Sequence, residues 1–317
     1  MNDHAPTAIH ESALMEHAHM TASTRRGYGS LLSKGLRIAL LLALAAFMLV
    51  PIIWMLIAPS KTNNDLLSIG VSLVPGPLTN VGRTWSNLTG YQSDEIAAWL
   101  VNSIEYTLGS LVLSLVLCVP AGYALATWRF AGRSIVLILT LITMITPGTA
   151  LVLPLFQEVN AVHLINTPWA VILPAAFYPF GAYLTFIFFT TSLPKDLLAA
   201  ARIDGCSEFG VFRFVALPLS RPIFALVAFF SFVANWNNYF LPFVMLTDDR
   251  KYPLPVGLTN LINSSGAITA IASQGFSPIK RPEAALAGLI VIVPVVIIFL
   301  FSQRFVQAGM LVGAEKG

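Results

Sequence analysis

Polar side chains that could bind a solute are concentrated in one apolar stretch, residues 222–246. Ser231, Asn235, Asn238 and Pro242 follow at intervals of four, three and four, so a continuous helix would carry them on one face. Amides and hydroxyls hydrogen-bond solute hydroxyls, and aromatic rings cover apolar C–H surface. The candidates for a solute path are therefore Ser231, Asn235, Trp236, Asn237, Asn238 and Tyr239. Ser and Asn also join one membrane helix to another, and both interpretations remain open.

Other reactive residue types lack the spacing of a catalytic or metal site. Cys118 lies in an apolar run and Cys206 in a basic segment, so neither a disulfide nor a metal site is expected. The chain has no His-Glu-x-x-His motif, no Gly-x-Ser-x-Gly motif and no Gly-x-x-x-x-Gly-Lys-Ser/Thr phosphate loop. The sequence therefore predicts no enzyme activity, no metal site and no cofactor held by this chain.

The composition indicates a membrane protein. Of 317 residues, 56% are hydrophobic and 10% charged, and the mean hydropathy is +0.76, whereas soluble domains average about 45–50% apolar and 25% charged residues. The net charge is +3 and the basic residues are scattered, which argues against nucleic acid as a partner. Runs of spanning length predict an all-α protein with six transmembrane helices in the lipid bilayer. These runs are 36–58, 102–126, 134–156, 169–190, 222–246 and 284–301. The third run is expected to be broken at Pro147-Gly148 and at Pro154.

The distribution of Lys and Arg predicts the orientation of the helices. With the N-terminus inside, the cytoplasmic segments hold 12 of the 18 basic residues. This arrangement puts both termini and the polar segment 192–221 in the cytoplasm. Residues 1–33 lack an apolar period, so we expect a disordered cytoplasmic tail followed by a transmembrane domain over 34–317.

Segment 192–221 predicts two short helices that meet near Gly205. Ser192 and Ser207 suit the N-caps, with Pro194 in the first turn of the first helix, and Gly205 suits a left-handed C-cap. Apolar residues fall on one side of each helix; these are Leu197, Leu198 and Ala201, then Phe209, Phe212 and Val215 or Ala216. The segment either packs on its own membrane domain or docks a cytoplasmic partner, and the residue pattern favours neither.

The same segment resembles the signature loop of ATP-binding-cassette importer permeases. Their pattern is Glu-Ala-Ala, then a Gly, then Leu-Pro, which Ala200-Ala201, Asp204-Gly205 and Leu217-Pro218 match in type and spacing. Segments 121–133, 235–242 and 309–317 resemble the carbohydrate-type, maltose-transporter-like permeases. The Glu position is Ala199 here, so a salt bridge to the ATPase at that point is in doubt; Asp196 or Glu208 are the nearby acids.

The resemblance implies a type I importer permease of the cell membrane with a cytoplasmic coupling helix. Its partners would be a second homologous permease, two nucleotide-binding subunits that hold ATP and Mg, and an extracytoplasmic solute-binding protein facing 250–282, through 264–266 or 273–275. The residues that would dock the ATPase are Leu197, Ala199, Ala200, Ala201, Asp204, Gly205, Phe209, Leu217 and Pro218.

The alternative function is an ion-coupled secondary transporter. Such proteins usually contain related halves with matched broken helices, and this chain has no convincing internal repeat. A proton relay also needs buried acids, for which only Glu105 is a candidate. No Lys or Arg lies at depth in the second to sixth predicted helices, which favours a neutral carbohydrate over a phosphate ester.

Overall fold

A computed structural model of the chain describes residues 34–68, 70–90, 95–265 and 279–314. The predicted tail 1–33 lies outside these residues, as do Gly266 and segment 273–275. The described residues form helices and contain no strand. The helices are α1 Lys34–Ser60, α2 Asn63–Ser68, α3 Leu78–Thr89, α4 Glu95–Thr127, α5 Arg133–Ile145, α6 Gly148–Ala161, α7 Trp169–Ala176, α8 Pro179–Thr191, α9 Lys195–Ile203, α10 Glu208–Leu219, α11 Arg221–Trp236, α12 Phe240–Met245, α13 Leu254–Ser265 and α14 Arg281–Ala314.

Among the described residues, four helical segments are long and apolar enough to cross a membrane: α1, α4, α7 with α8, and α14. Two sharply bent pairs also qualify when each is counted as one span, α5 with α6 at 109° and α10 with α11 at 75°. By length and composition, the described residues therefore provide up to six candidate spans, in agreement with the all-α prediction.

Helix α4 begins at Glu95, seven residues before the start that the apolar run predicts. Its first turns carry polar residues, but these contact protein. The Asn102 side chain donates to the Arg250 carbonyl at 2.8 Å, and the Trp99 indole donates to the Asp249 carbonyl at 2.7 Å. Such contacts satisfy polar groups away from lipid, so hydrophobicity alone underestimates the length of this helix.

Three predicted spans are interrupted. The third breaks at Thr146-Pro147, as its Pro-Gly pair indicates, whereas the fourth and fifth were expected to be continuous and are not. The fourth breaks at Phe177-Tyr178, just before Pro179, because the residue preceding a proline avoids the helical conformation. The fifth breaks between Trp236 and Phe240, because in a continuous helix the ring of Pro242 would clash with the carbonyl of Asn238, four residues earlier.

Helices α7 and α8 pack closely along a stripe of small residues on α4. Ser110, Ser114, Cys118 and Gly122 recur every four residues and are all buried. A Cβ added to Gly122 would lie 2.0 Å from the Thr185 hydroxyl oxygen. Small residues at such spacing let membrane helices approach at backbone distance. Ser110 and Ser114 contact carbonyls of α7 and Gly122 contacts α8, so the stripe fixes the contact of α4 with both helices.

Candidate functional site

The 192–221 segment forms two short helices joined by a tight turn, as the sequence predicts. Gly205, in this turn, has φ 82°, the left-handed conformation expected for a helix C-cap. The Ser207 hydroxyl accepts a hydrogen bond from the Gly210 amide at 3.2 Å and caps α10. The predicted Ser192 cap is wrong. Helix α9 begins only at Lys195, Pro194 precedes it as the N-cap residue, and Ser192 instead follows α8, with its amide donating to the Phe188 carbonyl.

One face of these helices packs on the membrane domain. Leu198, Ala201, Val211 and Ala216 are buried there in one apolar cluster. The cluster includes Tyr123 of α4, whose ring centre lies 5.0 Å from that of Phe212 and 5.4 Å from that of Phe189. Movement of α9 and α10 would therefore act directly on α4 and α8.

The rest of the surface of α9 and α10, here called the bare face, is exposed among the residues that the structure describes. Four large apolar side chains are exposed on it, beside small and charged residues that include Arg202, Asp204 and Arg213. The four are Leu197 at 48%, Ile203 at 86%, Phe209 at 68% and Phe214 at 70% exposure. Leu197 and Phe209 belong to the predicted docking residues and are exposed, whereas Leu198 and Ala201, expected on the same side as Leu197, are buried. Ile203 and Phe214 were missed; their signal was a large apolar side chain in an otherwise polar loop.

The remaining docking candidates surround this face. Ala199, Ala200, Asp204, Gly205 and Pro218 are exposed. Leu217 is half-buried and Ala201 is buried, so Ala201 faces the membrane domain. The bare face is therefore flanked by small residues, which permit close approach of another surface.

A charged network joins α9, α10 and the turn after α4. The Arg202 guanidinium donates to Glu208 through Nε at 2.7 Å and Nη2 at 3.2 Å, and the Trp128 indole donates to the same carboxylate at 3.2 Å. The hydrogen bonds from Arg202 lower the pKa of Glu208 below its usual 4.5. Because this carboxylate is already paired within the chain, it is poorly placed to replace the acid missing at Ala199.

The polar stripe predicted on the fifth span is mostly involved in helix packing. Ser231 is fully buried, and the Asn235 amide donates to its carbonyl at 2.9 Å. Trp236 is also buried, and its indole donates to the Val291 carbonyl of α14 at 2.9 Å. Asn237 is exposed and bonds its own helix at Val233.

A cavity of about 670 Å³ lies where the three interrupted spans meet. Only Asn238 of the six predicted solute-path residues lines it, because α11 ends at Trp236 and the following residues leave the helical face. Tyr239, the sixth candidate, is half-buried outside this lining, with its ring stacked on Phe243. The other polar lining residues are Thr143, Thr146, Thr149 and Glu158. The sequence signal for these, threonines at three-residue spacing beside Pro147-Gly148, was missed.

The break between α7 and α8 is stabilised from α4. The Ser114 hydroxyl donates to the Ala176 carbonyl at 3.1 Å, and the Cys118 thiol donates to the Tyr178 carbonyl at 3.2 Å. These carbonyls lie where the helical ladder is interrupted, and backbone groups at membrane depth need internal partners. The break is therefore a supported structural feature of the cavity wall, on which Phe177 is exposed.

Within the described residues, no group of three or more His, Cys, Asp or Glu could hold a metal ion. The described residues therefore offer an exposed apolar surface on α9 and α10 and a cavity with mixed polar and apolar walls between broken helices.

Known proteins resemble this chain over most of its length. Residues 118–312 match the family described as "Binding-protein-dependent transport system inner membrane component". The arabinooligosaccharides transport system permease protein AraQ of Halalkalibacterium halodurans is 34% identical over 87% of this chain and 94% of that protein. AraQ of Bacillus subtilis is 34% identical over 89% and 96%. A solved structure of a bacterial ABC transporter involved in importing the acidic polysaccharide alginate shares the fold, with a TM-score of 0.71 at 24% identity over 85% of this chain and 95% of that one.

Proposed function

This chain belongs to the family of inner membrane components of binding-protein-dependent transport systems, and from that premise we propose that it is a permease subunit of an ATP-driven oligosaccharide importer. The family consists of transport permeases rather than enzymes. The AraQ relatives, named for transport of arabinooligosaccharides, support a carbohydrate as the solute. The all-helical fold with up to six spans agrees with this assignment.

The ATPase subunits would transmit their conformational change to this chain through the exposed face of α9 and α10. The main support is the division of these helices into a packed face and a bare apolar face carrying Leu197, Ile203, Phe209 and Phe214. A soluble loop rarely exposes so many large apolar side chains together unless a partner covers them. The sequence has no phosphate loop, so two separate cytoplasmic subunits would bind ATP and Mg and dock here.

The solute would pass through the cavity between the broken helices. Hydroxyl, amide and carboxylate groups line it together with Phe177 and Phe240, a combination that suits a sugar. The cavity is open on one side in a single chain, so a second, homologous permease would complete it. An extracytoplasmic binding protein would deliver the solute at the end opposite the docking face, and both termini of this chain would be cytoplasmic.

Coupling would follow the contacts of the docking helices. When the ATPase subunits close, α9 and α10 would move together because Arg202 and Glu208 join them. Tyr123, packed against Phe212 and Phe189, would transmit the movement to α4 and α8. Helix α8 begins directly after the break at Phe177-Tyr178, where access to the cavity would change.

Copurification with the partner subunits tests this assignment. We expect Ile203→Glu to reduce the ATP-binding subunit recovered with the tagged chain at least about tenfold, because a charge would be buried unpaired in the interface. Leu73→Glu is the matched control, since Leu73 is an exposed residue outside the 192–221 segment. Unchanged recovery with Ile203→Glu would contradict the docking face. Gradient-driven uptake by the purified chain alone would favour an ion-coupled transporter instead.

A further inference from the structure

We propose that the 670 Å³ cavity selects uncharged oligosaccharides over acidic ones, with Glu158 as the residue that disfavours anions. This inference rests on the proposed function. Similarity to known proteins does not decide the charge of the solute, because the AraQ relatives are named for arabinooligosaccharides and the solved structure for an acidic polysaccharide. The residues that line the cavity do indicate the charge of the solute.

The polar groups of the cavity wall are mainly hydrogen-bond acceptors. The Thr143 hydroxyl donates its hydrogen within α5, to the Thr140 carbonyl at 2.8 Å, and the Thr146 hydroxyl donates to the Ile142 carbonyl at 2.9 Å. The oxygens of these two threonines therefore offer only lone pairs to the cavity, whereas Thr149 and the Asn238 amide can also donate. Such a wall accepts hydrogen bonds from sugar hydroxyls, whereas an ionised sugar carboxylate, which can only accept, finds few donors.

Glu158 adds a negative charge to this wall. Its side chain is exposed on α6 and has no hydrogen-bond or ion-pair partner among the residues that the structure describes. A solute hydroxyl can donate to it, whereas a solute carboxylate is repelled. At about 6 Å and an effective dielectric constant of about 40, one like charge weakens binding roughly tenfold.

No basic side chain in the lining offsets that charge. The residues that line the cavity include no Lys, Arg or His. Arg133 begins α5, ten residues before Thr143 and so roughly 15 Å away along the helix, where it stacks on the Phe186 ring. The described lining therefore favours hydroxyl donors and disfavours anions.

Charged thiol reagents measure this selectivity in the assembled importer. Cys206→Ser leaves Cys118, which is buried, and Thr149→Cys then places a reactive thiol in the cavity wall. We expect a cationic methanethiosulfonate to react roughly three- to tenfold faster than an anionic one of similar size, relative to a free thiol. Thr146→Cys is a second reporter position should Thr149→Cys not assemble.

Glu158→Gln should bring the ratio of the cationic to the anionic labelling rate close to the ratio for a free thiol. Glu105→Gln is the matched control, because Glu105 is an exposed carboxylate on α4 that does not line the cavity. A ratio that favours the anionic reagent, or one that Glu158→Gln leaves unchanged, would overturn the inference, including the case in which the second permease supplies a compensating cation.

Protection by solutes completes the test. We expect a neutral arabino-oligosaccharide to slow labelling of the cavity thiol at least about threefold more than an oligogalacturonate of equal length. Equal or better protection by the acidic oligomer would overturn the selectivity. The proposed function fails by a different observation, the absence of ATP-dependent uptake of any oligosaccharide into vesicles, and the reagent ratio does not depend on that result.

Discussion

Gly122 lies at the close contact between α4 and α8. We expect Gly122→Ala to lower the free energy of unfolding by about 1–3 kcal/mol, because the new Cβ would lie 2.0 Å from the Thr185 hydroxyl and 2.7 Å from the Phe186 amide nitrogen. Thermal unfolding of the purified protein in detergent measures the change. Gly82→Ala on α3 is the control, since an added Cβ there meets nothing within 4 Å. Equal effects of the two changes would contradict close packing at Gly122.

Glu208 should contribute a small, pH-dependent stabilisation. Arg202 lowers its pKa below 4.5, so the contribution is present above about pH 4.5 and is lost as the pH falls through the lowered pKa. Because the two side chains are about half exposed, we expect Glu208→Gln to lower the free energy of unfolding by only about 0.2–1 kcal/mol at pH 7 and to leave it unchanged in strong acid. Denaturant titrations at several pH values measure this, with Asp204→Asn as control. A loss of stability that does not depend on pH would contradict the ion pair between Arg202 and Glu208.

Individual residues of the 192–221 segment were predictable where their role is local. The left-handed conformation of Gly205 and the cap by Ser207 follow from residue type and from the immediate chain. The separation of exposed Leu197 from buried Leu198 and Ala201 was not predictable, because the side that faces the membrane domain depends on how α9 and α10 pack on Tyr123 and Phe189.

At the scale of elements, the contact between α11 and α14 depends on a buried indole. We expect Trp236→Phe to lower the free energy of unfolding by about 1–2 kcal/mol, because the Val291 carbonyl loses its donor while the stacking on Phe232 is retained. Uptake per folded importer should be unchanged. Trp85→Phe, at an exposed indole on α3, is the control. Loss of uptake with unchanged stability would show instead that Trp236 lines the solute path.

The positions of the spans were predictable from the sequence. Of the interruptions expected at Pro147-Gly148 and at Pro154, only the first is present, and the other two breaks were not predicted. The break before Pro179 has a proline signal, yet Pro154 and Pro174 lie inside helices without ending them. What distinguishes the Pro179 site is tertiary: Ser114 and Cys118 on α4 satisfy the carbonyls at the interruption. Since the cavity forms where three interruptions meet, its residues could not be assembled from one helical face.

At the scale of the whole molecule, docking and solute passage are separated along the chain and joined by helices. The proposed docking face belongs to α9 and α10, the cavity to α5, α6, α12 and the α7–α8 break, and α4 with α8 connects them. Family membership was recognisable from the order of several motifs along the chain. The paired carboxylate of Glu208 and the acceptor-rich cavity depend on contacts between distant segments, so the sequence could not reveal them.

The most direct test of the account uses the native Cys206, which is exposed beside Gly205 on the docking segment, while Cys118 is buried. A maleimide–benzophenone crosslinker is attached to Cys206 in inside-out membrane vesicles containing the intact importer, and the ultraviolet crosslinks are identified by mass spectrometry, with Cys206→Ser as the blank. We predict that the principal product joins this chain to an ATP-binding subunit. Crosslinks only to lipid, or labelling of Cys206 from the outer surface alone, would contradict the account.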